Sequence, residues 1–165
     1  MTHATIDLDR FDAVLFDLDG VLTTTARLHS ESWKRLFDEF LDEWDEEQGV
    51  ETAPFSIAED YARHVDGKPR DDGVRDFLAA RGIELPEGDI DSPPDERSVN
   101  GLGNRKQTFV DAAINEVGVE AFPGSVAWVR QVRAAGLATA VVSSSRNCEV
   151  VLRAAGIDKL FTTRV

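Results

Sequence analysis

The first informative stretch is a short apolar run, Ala13-Val14-Leu15-Phe16, that leads straight into Asp17-Leu18-Asp19-Gly20-Val21. A run of this length bounded by a turn glycine predicts a short buried strand over 13–17. A polar stretch, Thr23-Thr24-Thr25, follows. Then Trp33, Leu36, Phe37, Phe40, Leu41 and Trp44 recur at three- and four-residue spacing, the signature of an amphipathic helix, with Ser30 placed to cap its start. Gly49 and Pro54 close that region. Further helices are predicted over 57–65, 72–80 and 102–117, and the Pro-, Gly- and Asp-rich segment 86–95 reads as a loop. No strand is predicted between Arg27 and Val119.

After Phe122-Pro123-Gly124 the pattern changes. A helix over 125–135 is stopped by Gly136. An apolar run over 137–142, with Thr139 inside it, predicts a strand buried on both faces. A helix over 147–155 is stopped by Gly156, and 160–165 is a candidate third strand. Strand–helix–strand units thus flank an all-helical stretch. That order predicts an α/β core, 1–25 with 121–165, interrupted by a helical second domain over 26–120. Open α/β sheets bind ligands off the carboxyl ends of their strands, where Asp17 and Ser143 both fall.

Composition narrows the function. Acidic residues outnumber basic ones 31 to 18 in a chain of 165, a formal charge of −13, so nucleic acid is not expected as a partner. Part of the excess is the run 38–47, read as a solvated helix face because it lacks the glycine and alternating spacing of a calcium loop. The single cysteine, Cys148, excludes an internal disulfide and suits a reducing, cytoplasmic compartment; it reads as a small buried residue on its helix. No apolar stretch is long enough to span a membrane, and the N-terminal segment with Asp7 and Asp9 does not have the layout of a signal peptide.

Two carboxylates two residues apart at a strand end reach one pocket if the chain curls there, as Gly20 permits. Ionised together they repel, so they need a cation or a shared proton. The pair suits a metal-assisted nucleophile with a neighbouring acid/base; the alternative is a strand cap and turn. Ser143-Ser144-Ser145-Arg146-Asn147 joins hydroxyls, backbone N–H groups and a guanidinium at the next strand end, a pattern that suits a phosphate as well as a simple cap. Asp66-Gly67-Lys68-Pro69-Arg70 is a turn bearing two cations, either solvated or a clamp on an anion. Asn104-Arg105-Lys106 is a polar contact or the outer face of a helix.

Phe16-Asp17-Leu18-Asp19-Gly20-Val21-Leu22-Thr23 resembles the first motif of the haloacid dehalogenase superfamily of phosphohydrolases and phosphomutases, and Ser143 sits where that superfamily has its second-motif Ser/Thr. The helical insertion lies where subfamily I carries its cap. Thr25-Ala26, His29 and Trp33, together with the 66–70 turn, the segment 100–106 and the 143–147 loop, resemble the β-phosphoglucomutase-like members; Thr24 departs from the Asp common there. The resemblance implies a Rossmann-like α/β core with an inserted all-helical cap.

It also implies roles. Asp17 is the nucleophile that takes the phosphoryl group, and it binds Mg²⁺ together with the backbone carbonyl of Asp19. The Asp19 carboxylate is the general acid/base. Ser143 holds the transferring phosphoryl, with Ser144 and Arg146 in the same loop. Arg70, Ser145 and Asn147 grip the second phosphate of a sugar bisphosphate. His29 and Lys106 line the interface of cap and core, and Gly67 and Thr25 count with the substrate-binding positions. Trp33 reads as packing. Cap closure would exclude water and favour a sugar hydroxyl as acceptor. Mg-dependent phosphoryl transfer on a sugar phosphate is therefore expected, the alternatives being a phosphatase of small esters or a non-catalytic piece of such an enzyme.

The same resemblance implies residues absent from this sequence. The family continues with a third-motif lysine and a fourth-motif acidic pair on later strands. Here Lys159 precedes the last candidate strand and no acidic residue follows Asp158. The expectation is a core unfinished at its C-terminus, weak Mg²⁺ binding and poor turnover by this chain alone. An open edge on the first strand should then promote self-association.

Overall fold

The structure, a computed structural model, describes residues 6–165. The reading of the N-terminal segment as no signal peptide falls partly on residues outside that range. Strand β1 (Ala13–Asp17) leads to helix α1 (Thr25–Gln48), then α2 (Arg70–Ala80), α3 (Val99–Val117) and α4 (Pro123–Ala134), strand β2 (Ala138–Val142), helix α5 (Cys148–Ala154) and strand β3 (Thr163–Arg164). The chain divides into two compact units: the stretch up to Ala26 with Gly118–Val165, and Arg27–Val117.

The first unit is built on a parallel sheet in the order β1-β2-β3. Ala13 pairs with Ala138 and Asp17 with Val142, so β1 and β2 end side by side. Phe16 packs edge-on against Trp128 of α4 and against Phe161, at centroid distances of 5.3 and 5.9 Å. In β2, Thr139, Ala140 and Val141 are all buried, as a strand covered on both faces requires. β1 differs from expectation. Phe16 is buried but Leu15 is 66% exposed, because β1 is an edge strand among the described residues and only one of its faces is packed. The third strand is also shorter than predicted. A single 3₁₀ turn, Asp158–Leu160, takes up its first part and only Thr163–Arg164 pairs with β2.

The second unit contains no strand among the described residues and closes around an aromatic core. The apolar stripe of α1 brings Trp33 and Phe37 into a stack at 5.3 Å, and Phe37 meets Phe55 at 5.3 Å and Phe77 of α2 at 3.9 Å. Each such ring contributes about 1.5–3 kcal/mol by burial. Two expectations are corrected here. Ser30 does not cap α1: the helix starts at Thr25, and the Ser30 hydroxyl donates back to the Arg27 carbonyl at 2.9 Å. The segment 57–65 forms only a π-helical turn, Tyr61–Val65, because Asp60 accepts the Ser56 N–H at 2.9 Å and fixes a turn ahead of it.

The acidic run 38–47 is not a merely solvated face. Asp38 accepts the Phe55 N–H at 2.9 Å, Asp45 accepts both the N–H and the hydroxyl of Thr52 at 2.6 Å, and Arg105 of α3 bridges Glu39 and Glu43 at 3.0 and 2.9 Å. Burial alone would raise the Glu39 carboxyl, but the guanidinium groups of Arg35 and Arg105 hold it below the usual carboxylate range. The carboxylates of α1 therefore tie down the following loop and α3.

Candidate active site

The register Asp17↔Val142 places Ser143 one residue beyond the partner of Asp17, so both candidate strand ends open on one edge of the sheet. Asp17 is exposed there. The chain then curls tightly. Gly20, at φ +80°, donates its N–H to the Thr23 carbonyl at 2.9 Å, and the N–H groups of Leu22 and Thr23 return to the Leu18 carbonyl at 3.0 and 3.1 Å. The curl is pinned to the segment before α4 and to the first turn of that helix: Thr24 N–H donates to Glu120, Phe122 N–H to Leu22, and the Ser125 hydroxyl to Val21 at 2.7 Å.

The curl turns the half-buried Asp19 carboxylate onto the Thr25 hydroxyl, which donates to it. The Thr23 and Thr25 oxygens are 2.8 Å apart, and the Thr23 hydroxyl also reaches the Leu18 carbonyl at 3.2 Å. Thr25, placed among substrate-binding positions by resemblance, is thus a buried partner of Asp19. Thr23 closes the stretch that resembles the first motif, yet residue type alone gives it no role.

In the 143–147 loop, Ser143 Oγ accepts the Ser145 N–H at 3.1 Å and Ser145 Oγ accepts the Asn147 N–H at 3.2 Å, leaving each hydroxyl proton to donate elsewhere. Ser144 and Arg146 are exposed, and Asn147 is buried. Helix α5 starts at Cys148. That residue is half-buried, not fully buried as expected. Burial pushes its thiol up, as does the negative charge of Asp19, while Arg164 pulls the other way. The charge of Asp19 thus reaches Cys148, a coupling that spacing alone does not reveal.

The other candidates lie in the helical unit. The Lys106 ammonium, buried in α3, donates to His29 Nδ1 at 2.9 Å, which sets the His29 tautomer with its proton on Nε2; the same ammonium sits 4.9 Å from the Trp33 ring centroid. Gly67, at φ +67°, turns the chain before Lys68. The two cations of that turn have separate fates. Lys68 donates to the Asp76 carboxylate and to the Arg63 carbonyl, the latter at 3.2 Å. Arg70 opens α2 and donates from Nε to Asp71 at 3.0 Å.

At the end of β1 the donors suited to a metal are oxygens, the Asp17 carboxylate and the Asp19 carbonyl, the kind that a hard cation such as Mg²⁺ takes. No cluster of three or more His, Cys, Asp or Glu is placed to hold a metal among the described residues. The residues fit Mg²⁺ in donor type, and phosphate oxygens and waters would complete the shell.

A parallel α/β sheet with two carboxylates at and just past the end of its first strand, a hydroxyl loop at the end of the second and a helical insertion between them defines a Rossmann-like α/β fold. The chain belongs to the haloacid dehalogenase-like hydrolase family, whose model matches residues 11–165. The β-phosphoglucomutase of Mycobacterium bovis is 47% identical over 157 residues, covering 95% of this chain and 60% of its own length. Among solved structures, β-phosphoglucomutase from Clostridium difficile superposes with a TM-score of 0.70 at 20% identity, over 93% of this chain and 60% of that one. A HAD family hydrolase from Deinococcus radiodurans, solved with bound phosphate and sodium, is 32% identical with a TM-score of 0.53, over 91% of this chain and 55% of that one. The chain thus spans 60% of the length of the curated relatives it matches first.

Proposed function

We propose that this chain carries part of an enzyme of the β-phosphoglucomutase kind, which moves a phosphoryl group on a sugar phosphate through an aspartyl-phosphate on Asp17. An Asp17 oxygen attacks phosphorus and the P–O bond to the sugar breaks. Asp19 gives its proton to the departing sugar oxygen. A hydroxyl then attacks the aspartyl-phosphate, passing its proton to Asp19 and releasing Asp17. The Asp17 carboxylate and the Asp19 carbonyl would hold Mg²⁺, which when bound neutralises charge on the phosphoryl oxygens. Ser143, with Ser144, Ser145, Arg146 and Asn147 around it, is assigned to the phosphoryl group. Arg70 is assigned to a second phosphate, and Gly67, His29 and Lys106 to the substrate. The unit 27–117 is read as the cap and the remainder as the core. A cytoplasmic location fits the lone cysteine.

The observation that carries this reading is the unlike setting of the two carboxylates: Asp17 exposed on the sheet edge next to the Ser143 loop, Asp19 half-buried and held by Thr25. One carboxylate is exposed where a ligand can reach it, while the other is held where it can move a proton. The 47% identity to a β-phosphoglucomutase supports the sugar-phosphate substrate. A phosphatase reading is favoured by the family model's description as a hydrolase. The test uses a polypeptide of the relatives' length. Conversion of β-glucose 1-phosphate to glucose 6-phosphate should exceed phosphate release, and Asp17→Asn should abolish both. Undiminished turnover by Asp17→Asn would refute the assignment, and phosphate release without isomerisation would select the phosphatase.

A further inference from the structure

Arg70 is the first residue of α2, and its guanidinium already has an anion. Nε donates to Asp71 Oδ1 at 3.0 Å, with the two side chains only 13% and 23% exposed. The pair lies against α3 at Gly103. A Cβ on that residue would stand 2.7 Å from Arg70 Nε and 2.8 Å from Asp71 Oδ1, so glycine leaves the space that the pair occupies. The contact uses one edge of the guanidinium. Nη2 is buried with no hydrogen-bond partner among the described residues. A guanidinium is a planar fork of five donors that matches a phosphate at two points, and a buried donor without an acceptor is costly.

The neighbouring charges are committed elsewhere. Lys68 goes to Asp76 and the Arg63 carbonyl. Asp72, the other acid in the first turn of α2, pairs with Arg75. Asp71 is therefore the acid of that turn that neutralises Arg70, and Nη2 marks a binding capacity that the carboxylate does not use.

We propose that Asp71 is an internal anion that holds Arg70 at rest, and that a ligand must displace it, which makes Asp71 a positioning residue that sets the selectivity of Arg70 for a phosphate dianion. This rests on the reading of Arg70 as a phosphate ligand. A tethered carboxylate has a high local concentration, so a free monoanion offering one contact competes poorly against it. A phosphate dianion brings more charge and enough oxygens to take the fork at two points, Nη2 included. Recognition by Arg70 is thus a difference between two anions, one of them built into the fold.

The test follows the Arg70 Nε–Hε NMR signal of the 165-residue chain during titration with inorganic phosphate at pH 8, and separately with acetate. Asp71→Asn should bind phosphate at Arg70 about tenfold more tightly, the size of one hydrogen bond to a charged group. It should also begin to respond to acetate, to which the parent should not respond. Asp71→Glu should restore the parent behaviour, which a purely structural role would not predict. Asp72→Asn removes the same charge one residue away and should change affinity less than about twofold if proximity, not general field, is the cause. Affinity in Asp71→Asn equal to or weaker than the parent would overturn the proposal, as would an equal gain in Asp72→Asn. Phosphate that leaves the Arg70 signal unmoved in both parent and Asp71→Asn would instead overturn the assignment of Arg70 to a phosphate, and the proposal with it.

Discussion

Replacing Thr25 by Val removes one hydroxyl and keeps the shape of the side chain. Thr25 is 2% exposed and donates to the Asp19 carboxylate. The Thr23 hydroxyl 2.8 Å away keeps the Leu18 carbonyl as a partner, so the loss falls chiefly on Asp19. A hydrogen bond to a charged group contributes about 1.5–3 kcal/mol. Asp19 is only half-buried and retains access to water, which sets the expected loss at the lower end, about 1.5 kcal/mol. For a chain of this size that corresponds to about 3–6 °C in Tm. Urea unfolding of parent, Thr25→Val and Thr25→Ser should show a lower midpoint at unchanged slope for the valine variant alone. A double-mutant cycle with Asp19→Asn should return a coupling of about 1 kcal/mol or more. If Thr25→Val unfolds with the parent, or if the two substitutions are additive, the hydroxyl does not hold Asp19 and the acid/base assignment loses its structural support.

Two further outcomes are expected. The Lys68 ammonium holds the Asp76 carboxyl below its ordinary range, and Asp60, which burial alone would raise, is brought below it by the Ser56 N–H and Arg81. A carboxyl lowered in the folded state stabilises above its unfolded value, and that contribution is lost as pH falls through the folded one. Urea midpoints should therefore be level from pH 7 to about 4 and drop below that, less steeply in Asp76→Asn; stability rising from pH 7 to 4 would contradict it. The edge of β1, unpaired among the described residues, with Leu15 exposed and no lysine, proline or bulge in the strand, should drive association that rises with concentration and weakens in Leu15→Lys, and a monomer at every dilution by light scattering would count against it.

Periodicity carried the long elements because they bury one face on their own. The stripe from Trp33 to Trp44 lies in α1, and the apolar run around Thr139 is β2. It failed where a local hydrogen bond decides the backbone. Asp60 accepting the Ser56 N–H leaves a π turn in place of the helix expected over 57–65, and the short pairing at Thr163–Arg164 depends on β2, not on its own composition. Candidate chemistry divides the same way. Motif spacing put Asp17 and Ser143 at strand ends, and the parallel register brings those ends together. Residue type could not tell which cation of the 66–70 turn is spent internally: the turn reads as solvated or as a clamp on an anion, and the bonds of Lys68 go to the Asp76 carboxylate and the Arg63 carbonyl. Nor does it show that the acids of α1 serve as anchors for a loop and a neighbouring helix.

Gly20 explains why two aspartates so close in sequence occupy unlike surroundings. In an extended strand, residues two apart project from the same face, and Asp17 and Asp19 would stand together as repelling charges. The strand instead ends at Asp17. Leu18 is driven into the core, and Gly20 at φ +80° closes the loop onto the Thr23 carbonyl. That backbone costs an L-residue about 1–2 kcal/mol. A side chain there would also press on Ala26, with a Cβ 3.3 Å from the Ala26 Cβ at the start of α1. The turn is what delivers Asp19 to Thr25, the first residue of that helix. The glycine thus converts a pair of like charges into one exposed carboxylate and one hydroxyl-held carboxylate, which is the asymmetry that a nucleophile and an acid/base require.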